Sequence, residues 1–322
     1  MSTLLVLAAS VALSLVVIKL RLMFAGRGLD VPGHRSLHQT PVPHGGGMGV
    51  VAVALVAGVW YGIDATWLIG VAVLASVSLL DDWVPLPFWL RLGVHLGVAA
   101  SVVFLHGLNV NPVTIGAVVV IAWAINAYNF MDGADGLAGS MALTGFGAYA
   151  VAFSSAGFAG LSGVCAAVSA AALGFLAFNW HPAKIFMGDV GSIPLGFLAG
   201  GLGWYGVVAD AWPLWFPLMV FAPFALDASA TLIRRACSGE RVWEAHREHY
   251  YQRMVRLGCT HAAMCSRWLA LMLAGAVLAL WLQMGDARAG WAGAAVWWCV
   301  LMLLGRRVDR RWNQDQDQVS VK

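Results

Sequence analysis

The chain has 322 residues, 60% of them hydrophobic and 11% charged, with a mean hydropathy of +0.77 and a formal net charge of +3. So apolar a composition excludes a soluble globular domain, and so small a charge excess gives no basis for nucleic-acid binding; an all-α polytopic membrane protein is expected. The 16 Trp and 37 Gly suit interfacial anchoring and close helix packing in a bilayer. Cys165, Cys237, Cys259, Cys265 and Cys299 lack metal-ligand spacing and are expected to be packing residues or free thiols.

The apolar run from Leu4 to Leu20 lacks a basic flank and a small-residue cleavage site, so it is expected to be a first membrane helix and not a removed signal. Hydropathy gives about 11 candidate spans of bilayer length, near 3–23, 46–63, 66–80, 88–107, 111–128, 138–153, 157–178, 191–209, 212–233, 262–284 and 290–305. Longer polar loops follow the odd spans and short turns follow the even ones. Of the 19 Lys and Arg, only Arg288 falls among the short turns. The positive-inside rule then puts the N-terminus outside and the longer loops and C-terminus in the cytoplasm. One transmembrane catalytic domain over 1–305 is expected, its site formed by loops 24–45, 81–91, 126–137, 179–192 and 234–261. The Gln/Asp-rich tail over 306–322 has a disordered composition.

The chemistry-bearing residues all fall in those longer loops. The first holds Arg35 and His38, then Pro41, Pro43 and the triplet Gly45, Gly46, Gly47. The triplet is either a phosphate cradle, without the lysine of a nucleotide-hydrolase loop, or a rigid re-entry loop. Asp81 and Asp82 close the third span, where paired carboxylates can hold a divalent cation or share the work of a base. Asn126, Asn129, Asp132 and Asp135 recur every three residues, on one helical face if the helix continues and around a turn if Gly133 and Gly136 end it. In the segment from Asn179 to Ser192, Lys184 can meet a phosphate, Gly188 allows close backbone approach, and Asp189 can cap a helix or ligate a metal. Phe186 suits either stacking on a base or the core. The loop 234–261 carries Arg234, Arg235, Arg241, Arg247, Arg253 and Arg256 beside His246 and His249, a set that can bind diphosphate or acidic lipid headgroups. His95, His106 and His261 stand as isolated polar residues, and Asp227 lies mid-span, where pairing within the bundle is expected.

Taken together, the stretches from Asn126 to Leu137 and from Pro182 to Ser192, with Asp81-Asp82 and the first loop in the same order, resemble the polyprenyl-phosphate N-acetylhexosamine-1-phosphate transferases. These are the MraY/WecA-type enzymes of glycosyltransferase family 4, and the similarity spans nearly the whole chain. The resemblance implies transfer of a sugar 1-phosphate from a UDP-N-acetylhexosamine to undecaprenyl phosphate, with release of UMP, at the cytoplasmic face of a bacterial inner membrane. It implies Mg²⁺, with Mn²⁺ as an alternative, held by Asp189 and Asn129, with Asp81 and Asp82 as further candidates. Asp81, Asp82, Asp132, Asp135, His246, Arg247 and His249 are implied as catalytic. Arg35, His38, Asn126, Asn129, Asn179, Lys184, Phe186 and Gly188 are implied to bind substrate.

In the peptidoglycan-precursor branch the last catalytic loop typically carries consecutive histidines, whereas this chain has His246, Arg247, Glu248, His249. The resemblance is therefore nearer the branch that takes UDP-GlcNAc or a related donor to initiate O-antigen-type lipopolysaccharide. The phospho-N-acetylmuramoyl-pentapeptide transferases are the alternative, and a secondary transporter is a third reading of Gly-rich spans with carboxylates. Membrane lipids are implied partners, a homodimer is compatible with the family, and nucleic acid is not implied.

Overall fold

A computed structural model describes residues 3–24, 29–30, 41–105, 109–241 and 246–320. The described chain is helical apart from one small strand pair. The elements are α1 (Thr3–Met23), β1 (Leu29–Asp30), β2 (Val42–Pro43), α2 (Gly47–Tyr61), α3 (Ala65–Trp83), α4 (Phe88–Leu105), α5 (Pro112–Phe130) and α6 (Leu137–Ser155). They continue with α7 (Ala159–Asn179), α8 (Asp189–Val208), α9 (Trp215–Val220), α10 (Ala222–Cys237), α11 (Tyr250–Arg256), α12 (His261–Gln283) and α13 (Ala287–Ser320). β1 and β2 pair antiparallel, Leu29 opposite Pro43 and Asp30 opposite Val42.

Helix starts follow local chemistry. Asp64 caps α3 by accepting from the Thr66 N–H at 2.8 Å, and Thr260 caps α12 through the Ala263 N–H at 3.2 Å. Asn111 and Thr114 form a reciprocal capping box ahead of α5, with Pro112 at its first turn. Among the described residues nine helices are long and apolar enough to cross a membrane, and the chain is a multi-pass membrane protein. Val59, Ile69, Val113, Val277 and Trp281 stay exposed on the bundle's outside, as a lipid-facing surface requires. Inside, α6 lies along α7 and α8 along α5, the most enclosed layer of the bundle. Hydroxyls bridge neighbouring helices: Ser14 donates to Ala171 O at 3.0 Å, Ser169 to Leu143 O at 2.7 Å and Tyr149 to Ala199 O at 3.0 Å.

Two expectations change. The span expected over 212–233 is two helices, because α9 stops at Phe221 and Pro223 opens α10 on a new course. The tail expected to be disordered is instead helical: α13 is 34 residues long and runs through 306–320. Composition misses the reason, which is that Asp309 and Trp312 dock on α10 and α11. Asp309 accepts from Arg234 at 2.8 Å, Arg253 at 2.9 Å and the Tyr250 hydroxyl at 3.0 Å, and Arg253 and Arg256 lie over the Trp312 ring.

The glycine triplet is a docking surface and not a phosphate cradle. Gly46 N–H donates to Phe186 O at 2.8 Å, Gly47 N–H to Met187 O at 3.0 Å, and Phe186 N–H to Pro43 O at 2.8 Å. At the start of α2, Gly47 meets Gly191 backbone to backbone, so a Cβ on either would run into the other's Cα. Gly47→Ala should therefore cost about 1–3 kcal/mol through overpacking, seen as a lower thermal-unfolding midpoint in detergent. An unchanged midpoint would show that the contact tolerates a methyl group.

Candidate active site

The C-terminal ends of α3 and α5, the N-terminal ends of α2, α6, α8 and α12, and the α10–α11 connection all lie at one end of the bundle. Contacts tie these ends together: Gly47 to Gly191, His44 to Asp82, Gly136 to Asn179, His181 to His261, Tyr251 to Phe130 and Asp82 to Asp189. The carboxylates expected from the sequence meet there in a recess. Asp132 and Asp189 are half-buried, packed around by protein but still reached by water. Asp189 opens α8 within the field of Asp82, Asp81 and Arg91, and an Asn129 hydrogen bond reaches its carboxylate. Asn129 Oδ1 accepts in turn from the buried Ser192 hydroxyl at 2.7 Å. In this arrangement Asn129 holds Asp189, and its oxygen is already engaged by Ser192. Asp132 accepts from the Gly188 N–H at 3.0 Å. Withdrawal from bulk water, and then the neighbouring Asp189 charge, push the Asp132 carboxyl well above the ordinary carboxylate range.

The adjacent pair is not equivalent. Asp81 is tied down by Arg91 at 2.7 Å and by the Leu86 N–H at 2.6 Å. Asp82 faces His44 at 3.7 Å, with Arg21 the next basic group. Arg91 is thus committed to Asp81.

A second group surrounds Asp135. Its Oδ2 meets His181 Nδ1 at 2.6 Å and the Ala183 N–H at 3.1 Å, and the His181 ring stacks on His261 with centroids 5.2 Å apart.

The basic half comes from α10, α11 and the loop between them. Arg234, Arg235 and Arg253 are neutralised inside the protein by Asp309, Glu240 and Glu248. Arg247 is exposed, and among the described residues no carboxylate pairs with it. His249 is buried and donates from Nδ1 to Asp227 at 3.1 Å. Asp227 also accepts from Thr231 Oγ1 at 3.1 Å and from the Tyr250 and Tyr251 N–H groups at 2.8 and 3.2 Å. The His249 ring lies between Phe130 and Tyr251, with His246 4.9 Å away.

The profile of glycosyl transferase family 4 matches residues 65–207, from the start of α3 to the end of α8. Over that stretch the chain is similar to glycosyl transferase family 4. This family region contains the whole acidic recess, whereas the α10–α11 residues lie beyond it. Full-length relatives extend further. A probable undecaprenyl-phosphate N-acetylglucosaminyl 1-phosphate transferase of Bacillus subtilis is 29% identical, over 72% of this chain and 71% of its own length. A decaprenyl-phosphate N-acetylglucosaminephosphotransferase of Mycobacterium tuberculosis is 28% identical over 89% and 84%. A phospho-N-acetylmuramoyl-pentapeptide-transferase of Lactobacillus acidophilus is 27% identical over 69% and 78%.

Some expected site residues make other contacts. Asn179 is buried and braces the fold, accepting from the Gly136 N–H at 2.9 Å and donating to Ile185 O at 2.9 Å. Asn126 turns to α4, contacting His95 Nδ1 at 3.3 Å and Ala122 O at 2.7 Å. The Gly188 N–H, expected to approach a ligand, is spent on Asp132, and a φ of +73° explains the glycine. His249 is buried and supports the loop from inside through Asp227. Lys184 is exposed on the α7–α8 loop and Phe186 is half-buried beside Gly46. Arg35 and His38 lie outside the described residues. The sequence reading missed His44, Ser192, His181 and His261 as contributors. The single carboxylate of Asp227 in an apolar span was the one advance signal for its network.

His246 is half-buried, and burial, then the neighbouring His249 and Arg235, hold its imidazole down at about 4. It is therefore neutral at physiological pH. Because an unfolded histidine titrates near 6.5, this group weakens the fold as pH falls from about 6.5 towards 4. Histidine side-chain NMR of the ligand-free protein should find His246 titrating near 4; a midpoint near 6.5 would refute the assignment.

Proposed function

We propose that this chain transfers N-acetylhexosamine 1-phosphate from a UDP-sugar to a polyprenyl phosphate, releasing UMP, at the cytoplasmic face of a bacterial inner membrane. The observation that carries the proposal is the convergence of Asp81, Asp82, Asp132 and Asp189, from three separate chain segments, in one recess at the basic-loop end of the bundle. The family region that holds this recess and the names of the full-length relatives support the same reaction class. UDP-GlcNAc, or a related UDP-N-acetylhexosamine, is the proposed donor, and initiation of an O-antigen-type lipid-linked polysaccharide is the proposed role.

In this reaction an oxygen of the lipid phosphate attacks the β-phosphorus of the donor. A new P–O bond forms, and the bond from the β-phosphorus to the bridging oxygen breaks, its electrons leaving with UMP. A phosphate monoester with a pKa near 6 is largely deprotonated at neutral pH, so holding it in line matters more than removing its proton. Asp82, less tethered than Asp81, is the proposed member of the pair that faces the reacting phosphates; Asp81 fixes Arg91 and the turn at Leu86. Exposed Arg247 contacts the diphosphate, and neutral His246 contributes hydrogen bonds without adding charge.

The acidic recess fits Mg²⁺. Its donors are carboxylate oxygens, and their crowding leaves a local excess of negative charge that favours a hard cation sharing its shell with substrate phosphates. Asp189 is the proposed principal ligand, with Asp82 and Asp132 nearby and Asn129 holding Asp189 in place. When bound, the ion would supply charge neutralisation to the diphosphate and the departing UMP. Mn²⁺ is the proposed substitute.

A UDP-muramoyl-peptide donor is the second reading, favoured by the similarity to the Lactobacillus acidophilus enzyme. Purified protein incubated with undecaprenyl phosphate and radiolabelled UDP-GlcNAc, UDP-GalNAc and UDP-MurNAc-pentapeptide decides between them. Lipid-extractable label from a UDP-HexNAc, abolished by EDTA and restored by Mg²⁺, is the expected outcome; label only from the muramoyl-peptide would assign the other branch. Asp189→Asn should lower transfer at least about 100-fold, as losing an electrostatic stabiliser of a developing charge does, with the protein still inserted. Full activity in that variant would remove the metal assignment. Arg247→Ala should cost about 1.5–3 kcal/mol of transition-state binding, the worth of a charge-assisted hydrogen bond, read as a fall in kcat/KM. An unchanged kcat/KM would exclude contact with the diphosphate.

A further inference from the structure

Asp135, His181 and His261 come from three separate places: the α5–α6 turn, the α7–α8 loop and the first residue of α12. One ligand atom from each lies within 4.8 Å of the others. We propose that these three side chains bind a borderline transition-metal ion, Zn²⁺ or a chemical equivalent such as Co²⁺, at a site separate from the all-oxygen recess around Asp189.

Two imidazoles and one carboxylate form a donor set that suits Zn²⁺ or Co²⁺ and not Mg²⁺, which prefers oxygen alone. Geometry brings the donors together before any ion arrives. His181 Nδ1 and Asp135 Oδ2 are 2.6 Å apart, and the two imidazole planes are 10° from parallel. The Ala183 N–H fixes the Asp135 oxygen at 3.1 Å. The His181 side chain is 37% exposed against 12% for that of Asp135, so the site has an inner anchor and an outer face through which an ion can enter. Cys265 lies one turn after His261 on the same face of α12. Its Sγ is what a Cβ on Gly136 would meet, at 2.7 Å, so a thiol stands beside the Asp135–Gly136 turn without joining the three-residue cluster.

Without the ion, the proton between Nδ1 and Oδ2 joins two of these ligands. Binding exchanges that proton for the metal and releases it to solvent. The ion then fastens the α5–α6 turn, the α7–α8 loop and the start of α12 to one another, and binding to the folded state alone raises thermal stability.

The test uses the full-length protein in detergent, stripped with chelator and titrated with Co²⁺. A visible d–d absorption saturating at one ion per chain, bleached by Zn²⁺ and accompanied by a higher unfolding temperature, is expected. It should be lost in His181→Ala and in His261→Ala and kept in Asp189→Asn. His181 sits on an exposed loop, so its variant decides the matter if the His261 variant fails to remain monodisperse. Absence of the absorption, its survival in His181→Ala, or its loss in Asp189→Asn would overturn the proposal. Colour and unfolding temperature do not depend on turnover, so failure of the transferase reading would leave this result standing, and the reverse.

Discussion

Carboxylates from three chain segments, crowded at one end of the bundle, are the constraint around which the rest of the protein is arranged. The Asp189 charge bears on Asp132, and the Asp82 and Asp81 charges bear on Asp189, where burial limits screening by water. Such a cluster persists only if the surrounding scaffold is stiff enough to hold it. The stiffness is local and identifiable: Arg91 and the Leu86 N–H on Asp81, the Gly188 N–H on Asp132, and Asn129 braced by Ser192 on Asp189. Behind them, the Gly47–Gly191 contact seats α2 directly on the first turn of α8, fixing where Asp189 emerges. The glycines do their work by leaving room for backbone and not by cradling a ligand.

The opposite charge is handled in another way. Arg234, Arg235 and Arg253 share Asp309, Glu240 and Glu248 in one network, so three of the basic loop's six arginines are neutralised within the protein. Arg247 stays outward. The enclosed ion pairs act as a frame, and removal of one partner would strand the other. α13 belongs to that frame through Asp309 and Trp312. Asp227 completes it from beneath by fixing His249 and capping the start of α11 with two N–H bonds.

Much of this was legible in the sequence, and what was not has a physical reason. The helices and their polar ends follow from hydropathy and from charge scarcity, and the acidic residues of the recess stood out against an apolar background. Spacing of three residues did not group Asn126 with Asn129: both lie inside α5, yet Asn126 meets His95 on α4 and Ala122 O one turn back, while Asn129, next to the helix end, reaches Asp189. Asn179 looked like a ligand-binding amide because its partners are backbone atoms, to which composition is blind. The tail looked disordered because the partners of Asp309 lie far back in the chain, on α10 and α11. Long-range pairing decides all three, and a local pattern does not encode it.

Asp132 and Asp135 then acquire a joint meaning that neither has alone. Three residues apart on one turn, they clamp the α7–α8 loop at two points, Asp135 at Ala183 and Asp132 at Gly188. Between those points the loop also pairs through Phe186 and Met187 with the strand leading into α2. A loop held on both sides has little freedom to move Asp189, which follows it immediately. The turn and the segment from Pro43 to Gly47 both hold that loop, and the position of Asp189 is over-determined. That degree of fixation is what a site needs if it must hold repelling charges in place before substrate arrives.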